Sequence, residues 1–234
     1  MNTHRFPSSP DRRQLFSARE YGFTLIELVV VITIMAILMV FSVPAINQAM
    51  GANRLTGEGN RIVQELAKAQ GEAQRTNRPV QVRFYSYDDP SIPGTESRYR
   101  AMQVFRYAGS DLNVERYTPE NEDGTTLEPI DKLVKFQDPI IMTSNATYSS
   151  LMNAGEHQGT VAWGDNDSLQ ARFIAFDFLG NGSTNLSGDL FAGRQFVFLT
   201  LVDEKHDPQT GGSPNNFVCI QIDRFNGSVR QYRP

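Results

Sequence analysis

The stretch 22-GFTLIELVVVITIMAILMVFSVP-44 decides how the rest of the chain is interpreted. Twenty-one residues, Phe23 to Val43, separate the glycine from the proline, and Glu27 is the one charged side chain among them. A helix of this length measures about 31 Å, close to the hydrocarbon thickness of a bilayer. The stretch therefore predicts a membrane-spanning helix over residues 23–43.

Glu27 is the unusual residue of this predicted span. A carboxylate at the centre of a membrane helix costs about 2.5–3.5 kcal/mol on insertion scales, and less near a helix end, so it needs a partner. Cleavage between Gly22 and Phe23 would create a positively charged α-amine four residues before Glu27. Within one helix the two groups point in different directions. We therefore expect Glu27 to pair with the new N-terminus of a neighbouring subunit and to set the register of a helical array.

Gly22, Phe23, Glu27 and the spaced Pro44 together resemble the class III signal of type IV pilins and of type II secretion pseudopilins. The resemblance implies that a prepilin peptidase cuts after Gly22 and methylates the new N-terminal residue, Phe23. It also implies that Glu27 serves assembly, and that Pro44 is the helix-kinking proline found in many pilins. The alternatives are an ordinary signal anchor with a chance glutamate and a cleaved secretory signal. The apolar run is longer than the usual core of a secretory signal, and no small-residue cleavage site follows it.

The charge distribution agrees with a membrane anchor. The predicted leader, residues 1–22, carries four arginines against two acidic residues, a net charge of +2, whereas the whole chain of 234 residues carries −4. Residues 23–234 therefore carry −6. A basic segment before the span predicts a cytoplasmic N-terminus in the inner membrane and a periplasmic C-terminal domain. The resemblance implies that the protein later enters a filament or reaches the cell surface.

After Pro44 the helical pattern continues to residue 76. Proline removes one intrahelical hydrogen bond and glycines at 51, 57 and 59 weaken the next turns, so we expect a flexible joint near residues 44–60. An apolar stripe follows at helical spacing. Its members are Leu55, Gly59, Ile62, Leu66, Ala69 and Ala73. The stripe predicts an amphipathic helix over 44–76 that lies on a domain core, with a coiled coil as the alternative, and Pro79 predicts its end near Asn77.

Residues 77–234 predict a β-rich globular domain. Alternating residues, as in 80–85, and short apolar runs, as in 195–202, indicate strands over 80–85, 99–107, 133–136, 140–143, 172–178, 195–202, 217–222 and 228–232. Residues 109–129 are predicted to form an exposed acidic insertion, and residues 149–167 a loop. One long helix followed by these strands predicts an α+β fold, in which the N-terminal helix packs on a mostly antiparallel sheet or sandwich.

Further segments extend the resemblance. The segment 53-NRLTGEGNRIVQELAKAQGEAQRTNRPVQV-82 is similar to minor pilins and pseudopilins of the GspH/FimT type, and segments 173–182 and 222–230 resemble two late strand-turn elements of that group. The segments 78-RPVQVRFYSYDDP-90 and 99-YRAMQVF-105 also resemble the prepilin-like Verru_Chthon cassette protein D family. The resemblance implies that the helix enters a pilin-like β-sandwich.

The sequence shows no catalytic constellation, so we expect no enzyme activity, cofactor or metal. The three histidines, at 4, 157 and 206, do not cluster. Asp165, Asn166 and Asp167 could begin a calcium loop, but the distal glutamate of such loops is missing. The acidic group at 120, 122 and 123 is predicted to be a solvated loop. Cys219 lies in an apolar run, which predicts a buried thiol, and as the single cysteine it can form no internal disulfide.

Arg224, Arg230 and Arg233 gather at the C-terminus beside Phe225 and Tyr232. Arginines with aromatic side chains can contact a phosphate backbone, and some minor pilins of this type bind DNA during uptake through a basic C-terminal region. The other interpretation is a solvated hairpin face, which the acidic charge of residues 23–234 favours.

The residues and the resemblance together predict a minor pilin or pseudopilin, a structural subunit of a type II secretion or type IV pilus-like filament. Its predicted partners are the prepilin peptidase, other pilin or pseudopilin subunits and the inner membrane. Two other functions stay open: a DNA-uptake subunit that binds nucleic acid through the C-terminal arginines, and a membrane-anchored enzyme.

Overall fold

The computed structural model describes residues 22–91, 96–107, 127–163, 167–186, 188–208, 212–214 and 216–233, except the side chains of residues 41–49, 162, 163 and 167. The chain divides into two compact units, Met1–Ile46 and Asn47–Pro234. Most of the predicted leader, residues 1–21, lies outside the described part. So do the acidic group at 120–123 and the side chains of the candidate calcium residues 165–167.

One helix, α1, spans Leu25–Thr76. Its C-terminal end is closed by two backbone hydrogen bonds, from the Arg78 amide to the Ala73 carbonyl (3.2 Å) and from the Asn77 amide to the Gln74 carbonyl (3.4 Å). Asn77 has a φ of 50°. This left-handed residue and the pair of bonds form a Schellman motif, which satisfies carbonyls that the last turn leaves without partners. The predicted end of the helix near Asn77 is therefore correct.

In the first unit, the described part of α1 is apolar and exposed on all sides. Fourteen large apolar side chains between Phe23 and Val40 are exposed, from 39% for Val31 to 81% for Leu25. Among the described residues, no helix has both the length and the hydropathy needed to cross a membrane. The span predicted over 23–43 includes residues 41–43, whose side chains lie outside the described ones.

The second unit contains ten described strands. They are β1 (Val80–Tyr87), β2 (Arg98–Tyr107), β3 (Leu127–Pro129), β4 (Val134–Lys135), β5 (Ile140–Met142), β6 (His157–Trp163), β7 (Asp167–Phe178), β8 (Phe196–Asp203), β9 (Phe217–Asp223) and β10 (Val229–Tyr232). Short 3-10 turns, Ser150–Ala154 and Glu204–His206, precede β6 and follow β8.

These strands form one sheet in the order β10-β9-β8-β5-β2-β1-β7-β6, and β3 and β4 also pair with β2. Every pairing among the described strands is antiparallel. The α+β fold with a mostly antiparallel sheet, as predicted, is confirmed.

The main core lies between the sheet and the half of α1 that belongs to the second unit. The predicted stripe of α1 is buried, with Leu55, Ile62, Leu66, Ala69 and Ala73 all at most 2% exposed. These side chains share one cluster with inward-facing residues of β1 and β7–β9. Gly59 also belongs to this contact, since a Cβ there would lie 2.7 Å from Val218 Cγ1. Burial on the sheet, rather than a coiled coil, therefore explains the stripe.

Polar side chains fasten the same half of α1 to the ends of strands. Gln70 Nε2 donates to the carbonyls of Gly182 (3.0 Å) and Asn226 (2.7 Å). Lys68 Nζ lies 2.8 Å from Asp131 Oδ2. The two bonds of Gln70 hold the helix against the turns at 180–182 and 226–227.

Two segments differ from the prediction. The loop predicted over 149–167 is wrong, because the structure places a 3-10 turn and β6 there and begins β7 at Asp167. Val161 is the one buried side chain among the described residues of β6. A strand at the sheet edge thus lacks the apolar alternation that marks buried strands. The acidic insertion predicted over 109–129 ends in β3, and residues 108–126 lie outside the described part.

Candidate functional site

Thr24, just before α1, and Glu27, in its first turn, form a reciprocal cap. The Thr24 amide donates to Glu27 Oε2 (2.9 Å), the Thr24 hydroxyl donates to the same oxygen (2.7 Å), and the Glu27 amide donates to Thr24 Oγ1 (3.3 Å). This is a capping box, in which a threonine before the helix and a glutamate at its third position satisfy each other's backbone N–H groups. The pattern T-x-x-E at 24–27 is a sequence signal for this cap, and the analysis of Glu27 by charge alone missed it.

The cap occupies only one oxygen of Glu27. Oε2 accepts both bonds from Thr24, while Oε1 accepts none from the described residues. A negative charge at this end of a helix is also favourable, because the first N–H groups carry partial positive charge. Glu27 can therefore keep its place in the cap and still offer Oε1 to an external donor.

The peptide bond predicted to be cut lies next to this cap and outside the helix. Gly22 is exposed and Phe23 is 79% exposed. A Cβ added to Gly22 would meet no atom within 4 Å. Nothing in the described fold therefore requires glycine at 22, and a requirement for it would come from an enzyme that reads this bond.

Pro44 lies inside α1, but its side chain is outside the described ones. The flexible joint predicted over 44–60 is too long at its C-terminal end. Leu55, Glu58 and Gly59 are buried in the second unit, and packed residues of this kind do not form a free hinge. Burial raises the pKa of Glu58, and its neighbour Arg61 opposes that change.

The three C-terminal arginines do not form one exposed surface. Arg224 is 6% exposed, and its Nη1 donates to the Leu186 carbonyl at 3.4 Å. Arg230 and Arg233 are exposed, and Arg233 is held by Asn216 Oδ1 (3.2 Å) and by the Thr56 hydroxyl oxygen. The predicted DNA-contacting group is thus divided, with Arg224 inside the domain.

Other candidate groups contribute no site. Among the described residues, no three His, Cys, Asp or Glu side chains are placed to hold a metal ion. Cys219 is half-buried rather than fully buried. Burial raises the pKa of its thiol, and a hydrogen bond with Thr200 acts in the opposite direction.

Comparison with known proteins gives one sequence match and a likeness of fold. Residues 17–43 match the prokaryotic N-terminal methylation motif, which confirms the prepilin-type motif predicted from Gly22, Phe23 and Glu27. No curated protein sequence matches the chain.

Two solved structures resemble the chain at low identity. The minor pseudopilin EpsH of the type 2 secretion system of Vibrio cholerae is 10% identical, with a TM-score of 0.41 over 77% of this chain and 98% of that one. The type IV minor pilin FimU of Pseudomonas aeruginosa PAO1 is 11% identical, with a TM-score of 0.39 over 78% and 93% of the two chains. Because both TM-scores lie below 0.5, no functional conclusion rests on these likenesses.

Proposed function

We propose that the chain is a minor pilin or pseudopilin, a structural subunit of a type II secretion pseudopilus or a type IV pilus. The observation that carries the proposal is the methylation motif at 17–43, which contains an exposed Gly22–Phe23 bond and the capped Glu27. In this function the chain is a substrate of the prepilin peptidase, and its own residues perform no catalysis.

Processing is the first step of the proposed function. The peptidase cuts after Gly22 and methylates the new N-terminus, Phe23. The bond is accessible because Gly22 and Phe23 precede the helix and are exposed. A cut there removes the basic leader and leaves Thr24 and Glu27 to cap the helix of the processed chain.

Membrane insertion and assembly follow. The exposed apolar side chains of residues 23–40 need an apolar environment, which the inner membrane supplies first and neighbouring helices supply in the filament. The β domain is then periplasmic. The free Oε1 of Glu27 accepts a hydrogen bond from the α-amine of a neighbouring Phe23, a charge-assisted bond that also fixes the stagger between subunits.

The processing step is tested by the mass and N-terminal sequence of the protein from membranes, with and without an active prepilin peptidase. We expect a chain that begins at Phe23 only when the peptidase is active. Gly22→Ala is the matched variant, since the fold has room for the added methyl group, and we expect it to stay uncut. A chain that is uncut beside an active peptidase would refute the proposal.

The assembly step is tested by three variants that separate the cap from the intersubunit pair. Glu27→Gln keeps a capping side chain but removes the charge. Thr24→Ala removes the two hydroxyl bonds of the cap but keeps the charge, and Glu27→Ala removes the carboxylate altogether. We expect Glu27→Gln and Glu27→Ala to stop assembly while both still insert in the membrane, and Thr24→Ala to assemble. Assembly of Glu27→Gln at the normal level would instead show that the carboxylate serves only as a cap.

A further inference from the structure

An open groove of about 790 Å³ lies in the second unit, where α1 residues 50–55 pass the start of β5 and the turn after β8. This volume is within the range of small-molecule sites, about 300–1,000 Å³. Its lining includes Met50, Arg54, Ile140, Asp203, His206 and Arg233. These residues lie up to 183 positions apart in the sequence, so no local sequence motif predicts the groove.

The charge of the groove differs from that of the chain. Arg54 is exposed, and no described residue forms a hydrogen bond or an ion pair with it. Arg233 is held by Asn216 Oδ1 at 3.2 Å and by the Thr56 hydroxyl, both neutral groups. Asp203 is the one carboxylate in the lining, and it accepts the Lys205 amide at 3.0 Å. With two guanidinium groups and one carboxylate, the groove is locally basic, although residues 23–234 carry a net charge of −6. A locally basic groove favours an anionic ligand.

The rest of the lining is apolar. Met50 is 49% exposed in the groove, while Leu55 and Ile140 form a buried floor at 2% and 4% exposure. Guanidinium groups recognise phosphate oxygens through paired, charge-assisted hydrogen bonds. An apolar floor beside two such groups fits a ligand with a phosphodiester at one end and hydrocarbon at the other.

The position of the groove along the chain supplies a source for such a ligand. Met50 follows the predicted span, which ends at residue 43, by seven residues. Seven residues reach at most about 25 Å even when fully extended. If residues 23–43 lie in the membrane, Met50 is within that distance of lipid headgroups.

We propose that this groove binds the headgroup of an anionic phospholipid from the membrane that holds the N-terminal helix. Arg54 and Arg233 bind the phosphodiester, and Met50, Leu55 and Ile140 contact the start of the acyl chains. The inference rests on the proposed membrane-anchored function and adds a ligand to it.

The test uses the full chain, purified in a neutral detergent and titrated with phosphatidylglycerol or phosphatidylcholine, with bound lipid counted by native mass spectrometry. We expect tighter binding of phosphatidylglycerol. Arg54→Gln and Arg233→Gln should each weaken that binding about tenfold, the effect of losing one modest charge-assisted bond, and leave phosphatidylcholine unchanged. Arg194→Gln is the matched control, because Arg194 is exposed and lies outside this groove, and it should bind like the unmodified chain.

Several results would overturn the proposal. They are equal binding of the two lipids, unchanged binding by Arg54→Gln, an equal loss in Arg194→Gln, or equally tight binding of glycerol phosphate, which would make the ligand a soluble phosphoester. If Arg233→Gln disturbs the fold through its contacts with Thr56 and Asn216, Arg54→Gln decides alone. Alkaline extraction of membranes separates the two levels: a chain released by alkali refutes the anchor itself, whereas a retained chain without lipid preference refutes only the groove.

Discussion

Asp177 on β7 predicts a measurable dependence of stability on pH. Its side chain is 5% exposed and accepts hydrogen bonds from Gln81 Nε2 (3.3 Å), the Tyr107 hydroxyl (3.2 Å) and Asn185 Nδ2 (2.9 Å). Burial raises the pKa of Asp177 to about 6, although the bonds from Gln81 and Tyr107 and the charge of Arg83 each lower it. Loss of solvation therefore outweighs three favourable contacts.

The sign and size of the effect follow from this pKa. An unfolded aspartate titrates near 3.9, so between about pH 4 and pH 6 the folded chain holds a proton that the unfolded chain has released. The stabilisation from this group is complete below pH 4 and is lost as the pH rises through 6. A difference of about two units between the folded and unfolded pKa of Asp177 changes the free energy of unfolding by about 3 kcal/mol. When the carboxyl is protonated, the Tyr107 oxygen can turn from donor to acceptor, so the network stays satisfied.

The assay is urea unfolding of the full chain in neutral detergent, followed by circular dichroism at pH values from 4 to 7. The raised pKa of Glu58 adds a loss of the same sign, so the Asp177→Asn variant isolates the aspartate: it should remove about 3 kcal/mol of the pH dependence and leave the contribution of Glu58. Tyr107→Phe removes a bond that lowers the pKa of Asp177, and it should move the midpoint of the loss to higher pH. An Asp177→Asn variant with the same pH dependence as the unmodified chain would refute this reasoning.

Three further predictions concern packing and backbone, and all are measured as free energies of unfolding. Gly57→Ala should stabilise the chain by up to about 1 kcal/mol, because alanine favours a helix and nothing lies within 4 Å of the new Cβ. Gly59→Ala should instead destabilise it by about 1–3 kcal/mol, because the new Cβ would lie 2.7 Å from Val218. Equal free energies of unfolding for the two variants would contradict the close packing of α1 on β9. Gly193→Ala should lower the free energy of unfolding by about 1–2 kcal/mol, because its φ of 70° is unfavourable for alanine. Gly227→Ala should lower it clearly more, because its φ is 66° and the new Cβ would also lie 2.1 Å from the Gly182 carbonyl oxygen. A smaller loss at 227 than at 193 would argue against that contact. Leu66→Ala should lower the free energy of unfolding by about 2–5 kcal/mol, because Leu66 is fully buried. Leu190→Ala should lower it by less than about 1 kcal/mol, because Leu190 is 53% exposed. Similar losses for the two variants would count against the position of Leu66 in the core.

The parts of the fold that the sequence predicts are those in which burial repeats at a fixed period. The stripe from Leu55 to Ala73 repeats every three or four residues because one side of α1 meets the sheet. β1 alternates because Val80, Val82 and Phe84 face that helix. In such elements, the spacing of apolar side chains predicts directly which face is buried in the core.

The sequence shows no such periodic pattern for elements that bury few side chains, or for contacts between residues far apart in the chain. In β6, Gly159 interrupts the strand pattern, and its reason lies in another strand: a Cβ there would come within 2.9 Å of the Phe173 ring. The carboxylate of Asp177 is likewise surrounded by groups from β1, β2 and the segment after β7. The division of the C-terminal arginines has the same origin, since Arg224 is buried while Arg230 and Arg233 are exposed.

Glu27 shows how a local pattern and an assembly role can be compatible. A carboxylate in an apolar helix is costly mainly because its polar atoms lose water without gaining partners. The bonds from Thr24 supply partners to Oε2 within one chain, so a single subunit can hold the charge in a membrane at reduced cost. In the proposed function, Oε1, which accepts no bond from the described residues, would bind a neighbour's α-amine when subunits are staggered by about one turn. In the proposed function, the cap thus lowers the cost of the charge in the membrane and the second oxygen favours the filament, which is why Glu27→Gln should insert without assembling while Thr24→Ala should still assemble.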